Sequence, residues 1–105
     1  MVYEVYATEN FEDQFKVLTN EEKKIIQKLF LQLKESPYVG DAIRYRFFRE
    51  KRIKEKRMYY LIYDDLSTIL IVALGGKKEQ QKTINEIIQD LPEFKKYIKK
   101  LLRKS

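Results

Sequence analysis

The sequence contains no cysteine and no histidine. The first absence excludes a disulfide framework and a thiolate metal site, and the second removes the commonest zinc ligand and the usual near-neutral proton carrier. Any catalysis therefore runs on Lys, Arg, Tyr, Asp, Glu, Ser or Thr. Glycine (three) and proline (two) are scarce, while 44% of the residues are hydrophobic, a composition that suits a packed domain and not a disordered chain. No apolar run approaches the ~18 residues of a membrane span, and MVYEVYATENFEDQ has neither the basic nor the apolar region of a signal peptide. We read a cytoplasmic protein without a membrane partner. Its 105 residues suit one domain, 1–105, with no internal repeat.

Charge is present, and it is concentrated. Lys and Arg number 22 against 16 Asp and Glu, a net +6. The stretch from Arg44 to Arg57 alone holds eight basic residues against Glu50 and Glu55, so the rest of the chain balances. Such a surplus, threaded through aromatics, points to a polyanionic partner, with nucleic acid first and an acidic protein second. The competing structural reading is a solvated strand face whose charges discourage edge pairing. Asp64 and Asp65 read as turn formers in preference to metal ligands. Lys77 and Lys78 fit an anion-facing role better than a helix first turn, where cations are slightly unfavourable.

VYEVYA alternates as a strand, with Tyr3 and Val5 on one face. Phe11, Phe15 and Leu18 then mark a short amphipathic helix with Thr8 as its N-cap. Thr19 and Glu22 have capping-box spacing ahead of a second helix, whose apolar stripe runs from Ile25 to Leu33 and which SPYVGD ends. Period two follows in AIRYRFFRE, KRMYYLIYDD and STILIVALGG, three strands of an antiparallel meander joined by KRIKE and by DDLS. Ile84, Ile87, Ile88 and Leu91 return to helical spacing, and a last helix opens near Pro92. The expected class is α+β, in the order β-α-α-β-β-β-α-α, with helices covering one face of a small, mostly antiparallel sheet.

Three of these segments, SPYVGDAIRY, KRMYYLIYDD and VALGGKKEQQKTI, together resemble the RelE/ParE superfamily of type II toxins, which includes the RelE and HigB messenger-RNA interferases. They are similar, in order, to that family's NP-x-x-G segment, its YR-apolar-apolar-Y strand and its last strand with the basic loop that follows. The resemblance implies the RelE-like fold, with the N-terminal helical hairpin on one face of the sheet. It also implies a cognate acidic antitoxin, and an endoribonuclease that cleaves messenger RNA in the ribosomal A site without metal or cofactor. Carried over by position, Arg57 matches the phosphate-contacting strand arginine and Lys78 the basic residue after the last strand. Arg46 and Arg49 lie on the strand that supplies further basic groups. Ile84 stands near the place of an active-site tyrosine in RelE itself. That departure favours a ParE-like toxin acting on DNA gyrase, whereas the arginine-dense strand and Lys78 favour the nuclease. A non-catalytic RNA- or ribosome-binding module is the third reading.

Cleavage of RNA by its own 2′-hydroxyl requires a base, cations around the phosphorane and an acid for the 5′-oxygen. Lysine can act as the base if Arg46, Arg49, Arg52 and Arg57 crowd it. Around these catalytic candidates we assign Arg44, Lys51, Arg52, Lys54, Lys56 and Lys77 to RNA binding. Tyr60 joins them as the ring on which a base stacks.

Overall fold

The computed structural model describes residues 2–104. The chain opens with β1 (Glu4–Ala7), α1 (Glu9–Lys16) and α2 (Asn20–Glu35). Both helix starts are fixed by local chemistry. The Thr8 hydroxyl accepts the Phe11 amide at 3.2 Å, while Thr19 and Glu22 exchange side-chain and backbone bonds, each at 3.1 Å. These contacts satisfy amides that a first turn leaves open. Pro37 stops α2 after Glu35 and starts a 3₁₀ turn at Pro37–Val39.

Next come β2 (Asp41–Ile43), β3 (Tyr45–Ile53), β4 (Lys56–Tyr63) and β5 (Thr68–Gly76), then α3 (Gln80–Gln89) and α4 (Leu91–Lys104). The sheet order is β1-β5-β4-β3-β2, with β1 parallel to β5 and the other pairs antiparallel. The α+β class and the mostly antiparallel sheet are as expected, with three differences. AIRYRFFRE is not one strand, because the chain reverses at Arg44 (φ 60°) and lays β2 back along β3, Asp41 opposite Glu50. No glycine marks that left-handed residue, so period two runs through the reversal unbroken. KRIKE is no separate connection either. β3 continues to Ile53, and Lys54 and Glu55 form the whole turn, with Lys54 at the positive φ (54°) that a tight hairpin needs.

The third difference is that helices cover both faces of the sheet. Phe11, Ile26, Leu29 and Leu33 of the first helix pair close over Met58, Tyr60, Ile62, Ile69 and Ile71. Ile84, Ile87 and Ile98 of α3 and α4 close over Phe48, Tyr59, Leu61, Leu70 and Val72. Strands β4 and β5 are therefore apolar on both sides, which is why their sequences are nearly continuous hydrophobic runs. The Gln14 side chain continues the ladder where β1 ends, donating to the Leu74 carbonyl and accepting the Leu74 amide.

Lys56 ties the sheet to α2, its Nζ 2.8 Å from the Glu22 carboxylate. That ammonium, then the Thr19 amide, holds the Glu22 carboxyl down at about 2, against an ordinary 4.5. The folded value lies below the unfolded one, so the ionised form stabilises the fold above pH 4.5, and this contribution is lost as pH falls towards 2. Glu22→Gln is expected to lower Tm at neutral pH and to make the acid limb between those values shallower. Circular-dichroism melts across that range test it, and an unchanged acid limb rejects the linkage.

Candidate nucleic-acid interface

The basic stretch does not form one surface. Strand alternation sends Arg49, Lys51 and Lys56 to the α2 side with Ile53, and Glu50, Arg52 and Arg57 to the α3 side with Phe48. Several expected RNA-binding groups are thereby taken up by the fold. Lys56 is held by Glu22, and Lys54 by Glu21 at 2.7 Å. Tyr60 is fully buried, its hydroxyl donating to the Pro37 carbonyl (2.9 Å) and accepting the Gly40 amide (3.0 Å), so no base can stack on it. Arg49 is a structural clamp, donating to the carbonyls of Arg46 (2.8 Å), Gly40 (2.8 Å) and Tyr38 (3.3 Å). Lys51 is half-buried, and Arg44 is exposed at the reversal.

What remains gathers at one end of the sheet. Arg52 sits opposite Arg57, which sits opposite Gly75, and Lys77 and Lys78 follow directly after Gly76. Like charges facing across a strand pair are unfavourable, and the acidic Glu50 lies beside them. Its carboxylate is 3.7 Å from Arg57 Nε and 3.4 Å from the Gln80 side-chain amide at the start of α3. The pair is largely shielded, with 14% of the Arg57 side chain and 18% of Glu50 exposed. Arg57 is therefore not the free, solvent-facing guanidinium that its strand position suggests. Behind it the Tyr59 hydroxyl is buried with no hydrogen-bond partner among the described residues. Burial first, then the charge of Glu50, pushes that hydroxyl up to about 12 against a smaller pull from Arg57. Arg52, Lys77 and Lys78 enter no ion pair among the described residues.

Sequence reasoning missed Glu50, although a signal existed: it is the only carboxylate in a strand carrying four cations. Ile84 is a buried core residue of α3, so that position contributes packing and no hydroxyl.

Arg46 belongs to the opposite end. Its guanidinium lies 4.0 Å from the Tyr38 ring centroid, donates to the Tyr38 hydroxyl at 3.1 Å and pairs with Asp64 at 3.5 Å. Asp64 also accepts from Tyr3 (2.7 Å) and Tyr38 (2.5 Å), and these hydroxyls hold its carboxyl below the usual range. The turn-forming role expected of Asp64 and Asp65 holds, as both lie in the 3₁₀ turn between β4 and β5. Beside them a groove of about 610 Å³ opens between Phe47, Tyr63, Leu91 and Pro92.

A five-stranded mixed sheet between two helix pairs, with cations gathered near a carboxylate at one open end, defines a small α+β protein with a basic cluster on its perimeter. No family model and no curated protein matches the sequence. The fold itself is that of the RelE toxins. An arginine double mutant of the Escherichia coli toxin RelE in the free state superposes with a TM-score of 0.69 at 14% identity, over 83% of this chain and 99% of that one. The Mycobacterium tuberculosis RelBE2 toxin–antitoxin complex matches at 0.64 and 20% identity, over 73% and 100% of the chains. The archaeal RelE–RelB complex of Pyrococcus horikoshii matches at 0.63 and 16% identity, over 73% and 97%. No helix among the described residues is long and apolar enough to cross a membrane.

Proposed function

We propose that this chain is a RelE-like toxin of a type II toxin–antitoxin system, which acts in the cytoplasm by cleaving messenger RNA on the ribosome and is neutralised by an acidic antitoxin. The observation that carries the proposal is Glu50 set among Arg52, Arg57, Lys77 and Lys78 at the open end of a RelE-fold sheet. This arrangement meets the requirements of RNA self-cleavage. Glu50 takes the proton of the 2′-hydroxyl as its oxygen attacks phosphorus. Arg57 and Arg52 hold the charge growing on the phosphorane, and the Lys78 ammonium donates a proton to the departing 5′-oxygen. A carboxylate base replaces the lysine base expected from sequence. Arg46 and Arg49 are bound up with the Pro37–Val39 turn and its surroundings, and do not crowd Lys78.

Primer extension on a translated message after induction is the test. Cuts within codons are expected from the wild type, and an Arg52→Glu/Lys78→Glu variant is expected to lose them, at least ~100-fold, with its Tm within a few degrees of wild type. Full-length message from cells arrested by the wild type rejects cleavage. The burial of Ile84 favours the second reading, a gyrase-directed toxin of the same fold. In that case arrested cells show intact message, and purified gyrase loses supercoiling activity.

A further inference from the structure

The groove beside Phe47, about 10 Å along β3 from Glu50, has no part in that chemistry. Tyr45 and Phe47 stand beside it on β3, their rings parallel within 10° and centred 5.2 Å apart. They keep 38% and 36% of their surface exposed. This ring pair is held on a rigid mount, since Arg49 grips the carbonyls of Arg46, Tyr38 and Gly40, and Arg46 lies flat on Tyr38. The groove's 610 Å³ falls in the range of small-ligand sites, about 300–1,000 Å³. Its apolar walls end in the cations Arg46 and Lys95 and in the carboxylates Asp64 and Asp65, with Arg44 exposed near the same strand tip. Arg44 and Lys95 enter no ion pair among the described residues, and Arg46 remains 72% exposed despite Asp64.

We propose that this groove binds an unpaired nucleobase of single-stranded RNA, stacked against the Phe47–Tyr45 rings with its flanking phosphates on Arg44, Arg46 and Lys95. The choice of RNA as ligand rests on the cleavage reading above. Open ring faces suit any base, and cations at the rim suit the backbone on either side. Asp64 and Asp65 offset Arg46 and Lys95 within the groove, so the stacking rings carry the selection and Arg44 supplies the surplus positive charge. Six residues of β3 separate Arg46 from Arg52, about 20 Å, a distance that a few nucleotides bridge. One RNA strand therefore reaches both ends of the sheet.

The test uses a single-stranded RNA decamer with 2′-O-methyl groups, which remove the attacking hydroxyl, and a 2-aminopurine reporter read by fluorescence and anisotropy. Tyr45→Ala/Phe47→Ala is expected to weaken binding about 10-fold, with loss of 2-aminopurine quenching and no change in salt dependence, because stacking releases no counterions. Arg52→Ala/Lys78→Ala is expected instead to reduce the salt slope by about 1.4. An abasic decamer should bind the wild-type protein about 10-fold more weakly, a readout that needs no variant to fold. Wild-type affinity and quenching in the aromatic variant, with binding lost in the basic one, overturns this inference alone. Failure of the wild type to bind the decamer overturns it together with the RNA-directed reading. Loss of an acidic protein partner with RNA binding intact makes the groove a protein site and overturns the inference as well.

Discussion

Glu50→Gln is expected to slow messenger-RNA cleavage by ~10²–10⁴-fold while RNA binding is kept or strengthened. The amide keeps the shape of the side chain and its contact with Gln80, but it cannot accept the 2′-hydroxyl proton. It also removes the one negative charge beside Arg52 and Arg57, which makes the phosphate site more positive. Tm should fall as well, because the largely shielded Arg57 guanidinium is left without its anion. Arg57→Ala gives the contrasting pattern: binding and cleavage fall together, and Tm falls too, since Glu50 is left without its cation. Cleavage rates by primer extension, beside anisotropy on an uncleavable RNA, separate the two. Wild-type cleavage in Glu50→Gln, or equal loss of binding and cleavage, would remove Glu50 from the role of base.

Gly40→Ala has the largest expected effect on stability. A Cβ at this position would lie 2.6 Å from the Glu50 carbonyl oxygen and 2.7 Å from the Tyr60 hydroxyl. Backbone conformation is not the obstacle, because φ is an ordinary −76°. The obstacle is that neither neighbour can yield cheaply. The carbonyl belongs to β3, where it is paired with β2, and the hydroxyl is fixed between Pro37 and Gly40. Overpacking costs ~1–3 kcal/mol and a stranded buried polar group ~1–3 more, so a loss on the order of 3 kcal/mol is expected. For a chain of this length that lowers Tm by more than about 10 °C. Tyr60→Phe removes one of the clashing atoms, so the double variant should lose less than the two single ones together. Simple additivity in thermal melts would show that the clash is relieved elsewhere.

The elements most legible in the sequence are those written in short-range chemistry. Thr8, the Thr19–Glu22 box and Pro37 set helix ends through contacts within a few residues, and all three are where they were expected. The interiors of β4 and β5 were equally plain, being apolar without interruption. What escaped depends on residues that break their own local rules. Arg44 and Lys54 take positive φ without being glycine, so nothing in the letters marks the two reversals. Once Arg44 turns the chain, Arg46 and Arg49 leave the group they share in sequence and join the Pro37–Val39 turn. In the candidate site, Arg57 and Lys78 stand out in the sequence through the family resemblance, whereas Glu50 becomes a candidate only once the pairing of β3 with β4 brings it to Arg57. Tyr60 was misjudged because a tyrosine on a strand looks the same whether its hydroxyl meets water or a buried carbonyl.

Helix pairs on both faces of the sheet have a consequence for how such a protein can be restrained. With neither face available, only the perimeter is open to partners, and the two chemically distinct ends, one around Arg52 and Arg57 and one around Arg46, lie about 20 Å apart along β3. A compact inhibitor seated on one end leaves the other able to hold its ligand. Silencing both with one molecule calls for a strap, and the ~20 Å between them sets its reach at roughly six extended residues. A partner of that kind would neutralise the protein in stages, and cutting the strap between its two contacts would release one end without the other.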